Sequence, residues 1–330
     1  MHAERSFSNQ VVLFDRDRVR QLESLDDRPG RLSRARLLWV DVDRRSGEAV
    51  DRVDRVVEEF ELDEETRAAL TRSGDRARFH DHGRYIHVTA YAPTGEKGGG
   101  PVTALECLVG ENWVVTAHDD PIAVLEEFAD TASGSGDIGN MNGSTFLAAL
   151  LEWVLGAYSD AFERIETRLG EFDASAMRGD GDAEQDIERL IELRLEIVSL
   201  RRALAAHRPA LATLTHPELK ALGDGDAAER FTSVLGRFEA TMQEARDARE
   251  AIVGSFDVLI ARGGHRTNEI MKVLTLASVI LLPGALLAGV MGMNFKVGLF
   301  EQTALFWVVV AVIIAVAPVT LGLAKMKRWI

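Results

Sequence analysis

The sequence has one cysteine, Cys107, which permits no disulfide within the chain. That excludes a disulfide-stapled secreted scaffold and any cysteine-rich zinc module, and it suits a reducing compartment. Basic side chains are outnumbered, with 38 Lys and Arg against 52 Asp and Glu and a net charge of −14. Nucleic acid is therefore not an expected partner, whereas cations are. The glycine-rich run GEKGGG, Gly95 to Gly100, lacks the Gly-Lys-Ser/Thr ending of a phosphate loop. No nucleophile stands at a useful spacing from a base either, so enzymatic chemistry and a resident cofactor are not expected. Apolar side chains are not short: 46% of the residues are hydrophobic and 27% charged, which excludes a wholly disordered chain.

Charge is absent from two long stretches. Between Lys272 and Lys296 lie 23 uncharged residues, and Gln302 to Ala324 form another 23. As helices, each reaches roughly 35 Å, enough for a hydrocarbon layer of about 30 Å. Soluble helices seldom stay apolar on every side for that length, so a pair of buried helices is the weaker reading. Only Lys296 to Glu301 separate the two runs, which predicts a tight hairpin with both flanks on one side. Arg262, Arg266 and Lys272 precede the first span, and Lys325, Lys327 and Arg328 follow the second. The positive-inside bias therefore predicts a multi-pass protein of the cell membrane with both termini cytoplasmic. The N-terminal MHAERSFSNQVVLFDRDR has no apolar stretch suited to a signal peptide. The first 270 residues, which carry a net −18, are expected inside as well.

The soluble part reads as α/β and then as helical. Residues 37–42, 84–91, 102–108 and 113–117 are short runs rich in β-branched and aromatic residues. A helical stretch spans about Gly47 to Ser73, another follows Pro121, and Thr131 to Gly143 has linker composition. Beyond it Leu190, Leu193, Ile197, Leu200 and Leu204 form a heptad-like stripe. A second stripe runs Phe231, Leu235, Phe238, Met242, Ala245, Ala248, Ile252, Phe256 and Leu259, without proline until Pro283. It predicts a stalk helix of some 65 residues, roughly 100 Å long, with Gly263-Gly264 as a candidate hinge. The expected fold class is α+β. Residues 1–130 form an α/β domain, 131–226 a helical hairpin region and 227–294 a stalk continuing into the first span. An external loop at 295–301, a second span at 302–324 and a basic tail at 325–330 complete the chain.

Several motifs invite a chemical reading. His80 and His82 would share one face of a strand, with His87 close by, as a metal pair could; a solvated strand edge is the plainer account. The acidic stretch Asp180 to Asp186 does not match an EF-hand loop and reads as a solvated turn. In the first span the strongly polar side chain is Asn294, in Gly292-Met293-Asn294 at its far end. An amide in lipid is costly, so Asn294 should face water or a partner, although an interfacial helix cap would explain one terminal Asn equally well. One hairpin cannot enclose water, so a watery axis requires several copies. Asn268, Met271, Leu282 and Ala285 keep a single helix face through steps of 3, 11 and 3, as a gated pore wall would. A coiled-coil seam predicts the same stripe. Asn294 lies about half a turn off that line, so the helix must loosen near Gly292 to bring the amide to the axis.

Thr267-Asn268-Glu269-Ile270-Met271-Lys272-Val273-Leu274-Thr275, then Pro283, Ala288-Gly289, Gly292-Met293-Asn294-Phe295 and the basic end Lys327-Arg328-Trp329-Ile330 resemble the CorA family of divalent metal ion transporters. The similarity is strong over about residues 254–330. Leu38-Trp39-Val40-Asp41-Val42 and Trp113-Val114-Val115-Thr116-Ala117-His118 are weaker echoes. The resemblance implies a funnel-shaped homopentamer with an α/β cytoplasmic domain and a long stalk that becomes the pore helix. It also implies a second helix outside that one, and membrane lipid as a surrounding. Gly292, Met293 and Asn294 become the selectivity filter, with Asn294 meeting hydrated metal. Asn268, Met271, Leu274, Leu282 and Ala285 become the pore line, and Met271 and Leu274 its hydrophobic gate.

The pattern also departs from the family's. Met291 stands where tyrosine is usual before Gly-Met-Asn, and Ala285 replaces a pore threonine. Acidic stalk positions that bind regulatory Mg²⁺ in the family fall on Ser233 and Gly236, although Asp257 matches an acidic position and is a candidate metal contact. In the external loop Lys296 stands where an acid is common, leaving Glu301 as its carboxylate. The expected activity is Mg²⁺ influx, with Co²⁺ and Ni²⁺ as further cargo. Zn²⁺ movement, coupled to protons as in the related zinc branch, is the alternative, and a non-conducting membrane-anchored sensor or scaffold is the rival of another class.

Overall fold

The computed structural model describes residues 10–15, 18–29, 36–72, 78–95, 100–134, 142–178, 182–216, 225–293 and 303–326. The chain divides into two compact units: Met1–Ala174 with Gly181–Ser255, and Ser175–Asp180 with Phe256–Ile330.

The first unit is built on a seven-stranded sheet. Its strands are β1 (Val11–Asp15), β2 (Arg18–Leu22), β3 (Arg36–Asp43), β4 (Phe79–Asp81), β5 (Ile86–Pro93), β6 (Val102–Val109) and β7 (Trp113–His118). They lie in the order β2-β1-β3-β7-β6-β5-β4. Only β3 and β7 pair in parallel, with Val40 opposite Val115; the other pairs are antiparallel. The central strands β3 and β7 are nearly continuous apolar runs because both their faces are covered.

On one face Leu38, Val40, Val42, Leu108, Val115 and Ala117 meet Val53, Val56 and Leu70 from the helices α1 (Ala49–Glu59) and α2 (Glu64–Thr71). On the other, Trp39 and Phe14 meet Phe128 and Phe146, with ring centroids 5.1–6.1 Å apart. Those two phenylalanines come from α3 (Ala123–Gly134) and α4 (Gly143–Arg178). Gly143 permits the close approach at the start of α4, since a Cβ there would lie 2.0 Å from the Gly110 carbonyl oxygen.

The helical part of this unit follows the two stripes. In α5 (Ala183–Ala205) Leu190, Leu193, Ile197, Leu200 and Leu204 are all buried. In α7 (Gly225–Met291), which follows the short α6 (Arg208–Leu214), Phe231, Phe238, Met242, Ala245, Ala248 and Ile252 are buried, while Leu235 is partly covered. Tyr158 of α4 donates to the Tyr91 carbonyl, and the Tyr91 N–H donates to His207 Nε2, tying β5 to the helices.

Several expectations are corrected here. The strands β1 and β2 lie outside the runs expected to be strands, whereas the strand edge expected at His80 and His82 is the short β4. The stretch about Gly47–Ser73 is two helices, broken where Glu61 takes φ +50° and Asp63 caps α2 by accepting from the Thr66 N–H at 2.7 Å. The linker at Thr131 begins later, because α3 runs on to Gly134. In the acidic stretch, Asp182 caps α5 by accepting from the Glu184 N–H, and Asp186 is buried within that helix.

In the second unit α7 runs through Gly263-Gly264 without a break and carries Pro283 inside it. Helix α8 (Thr303–Met326) follows. Together these are the two C-terminal apolar helices.

Candidate functional site

The most apolar window of α7 has a mean hydropathy of 2.3 and none of it is buried by the chain; that of α8 has 2.5 with 6% buried. Both helices are long and apolar enough to cross a membrane. Soluble helices bury such surface, so the surroundings of this one must come from outside the chain.

Helix geometry places the residues of the proposed line. At about 100° per residue, Asn268, Met271, Leu274, Leu282 and Ala285 fall within a sector about 120° wide. All five are exposed, Met271 at 53%, Leu274 at 59% and Leu282 at 67%. The same sector takes in Asp257, also exposed, and Ser278, which sequence reasoning missed. Its signal was the pair of four-residue steps from Leu274 to Ser278 to Leu282. The Ser278 hydroxyl donates to the Leu274 carbonyl and Thr275 does the same to Met271, so both hydroxyls are held by their own helix.

The chain's second apolar helix lies elsewhere around α7. A Cβ on Gly284 would stand 3.3 Å from Ile313 Cγ2, so glycine sets the approach of α8. Gly284 points about 140° away from the middle of that sector. Helix α8 therefore packs behind α7, and the Met271–Leu274–Leu282 face is left bare by its own chain.

At the far end α7 stops at Met291. The Gly292 N–H still bonds to the Ala288 carbonyl at 2.9 Å, but the Met293 N–H bonds to Val290, three residues back, at 3.3 Å. The backbone thus leaves α geometry at Gly292-Met293, where the Gly-Met-Asn motif begins. Asn294, Lys296 and Glu301 lie outside the described residues. Ser233 and Gly236 are exposed on the stalk, and neither offers a carboxylate.

Among the described residues no group of three or more His, Cys, Asp or Glu is arranged to hold an ion. Of the histidines, His80 and His82 lie on or beside the edge strand β4. His87 is buried instead, 2.8 Å from Glu106, which also accepts from the Thr89 hydroxyl.

A family model described as CorA-like Mg²⁺ transporter protein matches residues 34–325, most of the chain. This chain belongs to the CorA family. A cobalt/magnesium transport protein CorA from Thermotoga maritima is 24% identical over 189 residues, covering 56% of this chain and 52% of that protein. The chain thus spans about half the length of that relative. The Methanocaldococcus jannaschii protein of the same description is 24% identical over 231 residues, covering 69% of this chain and 72% of its own. Among solved structures, the complete CorA magnesium transporter of M. jannaschii superposes with a TM-score of 0.78 at 18% identity, covering 97% of this chain and 98% of that one. The likeness is one of fold: an N-terminal α/β domain, a long helix and two C-terminal apolar helices.

Proposed function

We propose that the chain conducts divalent cations, Mg²⁺ first and Co²⁺ with it, into the cell through a pore built from copies of α7 around a shared axis. The observation that carries this reading is the bare lining face of α7. Its own α8 meets α7 on the other side, at Gly284, so the Met271, Leu274 and Leu282 side chains are left for other copies of the same face to cover. Five copies is the number the family resemblance implies. Rings of Met271 and Leu274 make a hydrophobic constriction that gates by excluding water.

Asn294 supplies the outer ring in this reading. Mg²⁺ releases its water reluctantly, so neutral amide oxygens can accept hydrogen bonds from its hydration shell without trapping the ion. A carboxylate ring would hold it harder. An interior-negative potential contributes about 4.6 kcal/mol per divalent ion at 100 mV, which suffices to drive inward flow. Both chain ends then lie inside, as the basic flanks of the two spans require. Without carboxylates at Ser233 and Gly236, feedback closure by Mg²⁺ at that part of the stalk is not expected.

The test is flux into vesicles containing the purified protein, with Mg²⁺, Co²⁺, Ni²⁺ and Zn²⁺ in parallel, with and without a pH difference. Asn294→Ala should abolish selective Mg²⁺ entry. Unchanged entry in that variant, or none in the wild type, contradicts the reading and leaves a membrane-anchored scaffold. Zn²⁺ entry that needs the pH difference would place the chain's activity with the zinc branch.

A further inference from the structure

We propose that His80 and His82 form a binding site for a transition-metal cation of the Zn²⁺, Ni²⁺ or Co²⁺ type, separate from the conduction path and indifferent to Mg²⁺. The two rings flank the β4 edge, where residues two apart share one side of a strand. Three observations point to a ligand rather than to a solvated edge alone.

The first is the state of the His82 ring. Its Nδ1 lies 2.7 Å from Asp63 Oδ2, and its ring stacks on Tyr85 with centroids 4.5 Å apart. A carboxylate accepts and does not donate, so Nδ1 carries the proton. In the neutral ring Nε2 is then a lone-pair donor to metal. This is the carboxylate–imidazole arrangement that orients a metal-binding histidine.

The second is that His82 Nε2 is shut off from solvent and has no hydrogen-bond partner among the described residues. A buried polar atom without a partner is costly, and a bound cation would relieve that cost. The ring orientation is not accidental: Asp63 is itself pinned as the cap of α2 and accepts from the Tyr85 hydroxyl at 3.2 Å.

The third is the distance to the neighbouring ring. The His80 and His82 centroids are 5.7 Å apart. Two imidazoles sharing one tetrahedral ion, with metal–nitrogen bonds of about 2.0–2.1 Å, have centroids about 5 Å apart. The separation of the two rings therefore suits a shared ion once the exposed His80 ring turns a nitrogen toward it. Asp81, between them, points to the other side and is engaged with the Gly83 N–H.

Two imidazoles and water favour a borderline-soft cation. Mg²⁺ prefers oxygen and an octahedral shell and gains little there. For a divalent cation transporter, such a site would register the presence of the scarcer metals against a background of Mg²⁺.

The experiment is an equilibrium titration of the full-length protein in detergent with Zn²⁺ against a chromophoric chelator, in excess Mg²⁺. Cu²⁺ is added in a parallel arm to count coordinated nitrogens by electron paramagnetic resonance. The wild type should bind Zn²⁺ unaffected by Mg²⁺, with two ring nitrogens on Cu²⁺. His80→Ala, at an exposed position, should cost tenfold or more in affinity and reduce the nitrogens to one. Asp63→Asn should cost about 10- to 100-fold with both rings still present. Wild-type affinity in both His80→Ala and His82→Ala, or displacement of Zn²⁺ by Mg²⁺, overturns the proposal. Because no flux is measured, its failure leaves the Asn294 reading untouched.

Discussion

Apolar side chains in the sheet unit and in the two terminal helices have opposite fates. Around the sheet, Trp39, Phe14, Phe146 and Leu105 are all at 1% exposure or less, enclosed by their own chain. In the terminal unit Val273, Leu281 and Leu282 stand at 67–69% exposure. The polar groups differ in parallel. Within the sheet, Trp39 Nε1 donates to Thr116, Thr116 donates to Asp41, and Asp41 meets His118 at 3.2 Å, a chain of satisfied groups in a dry interior. In the apolar helices, the Thr275, Ser278 and Thr320 hydroxyls are returned to their own backbones. Such helices meet the needs of a segment whose surroundings offer no water. The first unit brings its own solvent-excluding partners, and the apolar helices of the second are left uncovered by the chain.

Equivalent truncations should therefore weigh very differently in the two regions. Phe146→Ala removes a ring in contact with Phe14, Trp39 and Phe128 and should cost about 3–5 kcal/mol. Val273→Ala, at a side chain that is 69% exposed although it lies on the Gly284 side of α7, should stay within about 0.5 kcal/mol. Denaturant unfolding of the two variants, followed by tryptophan fluorescence, checks this. Equal losses would mean that the apolar helices are folded against protein and not against lipid.

A smaller, pH-linked effect separates the interiors again. Burial works against a protonated His118, but Asp41, the Asp120 carbonyl and nearby Asp43 outweigh it and raise its pKa above the ordinary 6.5. A raised value adds stability that is complete below about pH 6.5 and fades as pH climbs through the folded-state value. His207 works the other way: burial depresses its pKa, so stability falls as pH drops below 6.5. That contribution is common to the wild type and to His118→Gln and cancels between them. The wild type's advantage over His118→Gln should accordingly be larger at about pH 6 than at about pH 8.5 in denaturant titrations. A pH-independent gap would remove the charged His118–Asp41 pair from the account.

Which parts were legible in the sequence follows from the range of the interactions. The two uncharged runs and the heptad stripes are local patterns, and the helices formed where those patterns lie. Strand β2, Arg18–Leu22, was hidden because it is an edge strand with an open pattern of exposed charges. Strand β4 is three residues long and exists only through pairing with β5. The break at Glu61 falls in Phe60-Glu61-Leu62-Asp63, where neither Gly nor Pro marks it. At the candidate site the exposed face of Met271, Leu274 and Leu282 could be read from spacing. That α8 leaves this face free could not, because the Gly284–Ile313 approach joins residues far apart in sequence.

The central claim is that the Met271 face of α7 lines a path shared between copies, and the lone native thiol makes it directly testable. Cys107 is fully buried and its pKa is pushed far above the usual thiol range by burial, so it should not react. Mg²⁺ entry into vesicles holding Met271→Cys or Val273→Cys protein can be compared before and after a charged thiol reagent. Val273 lies about 160° around the helix from Met271. The account predicts that the reagent blocks entry through Met271→Cys and leaves Val273→Cys conducting; block at Val273→Cys with Met271→Cys unaffected would contradict it.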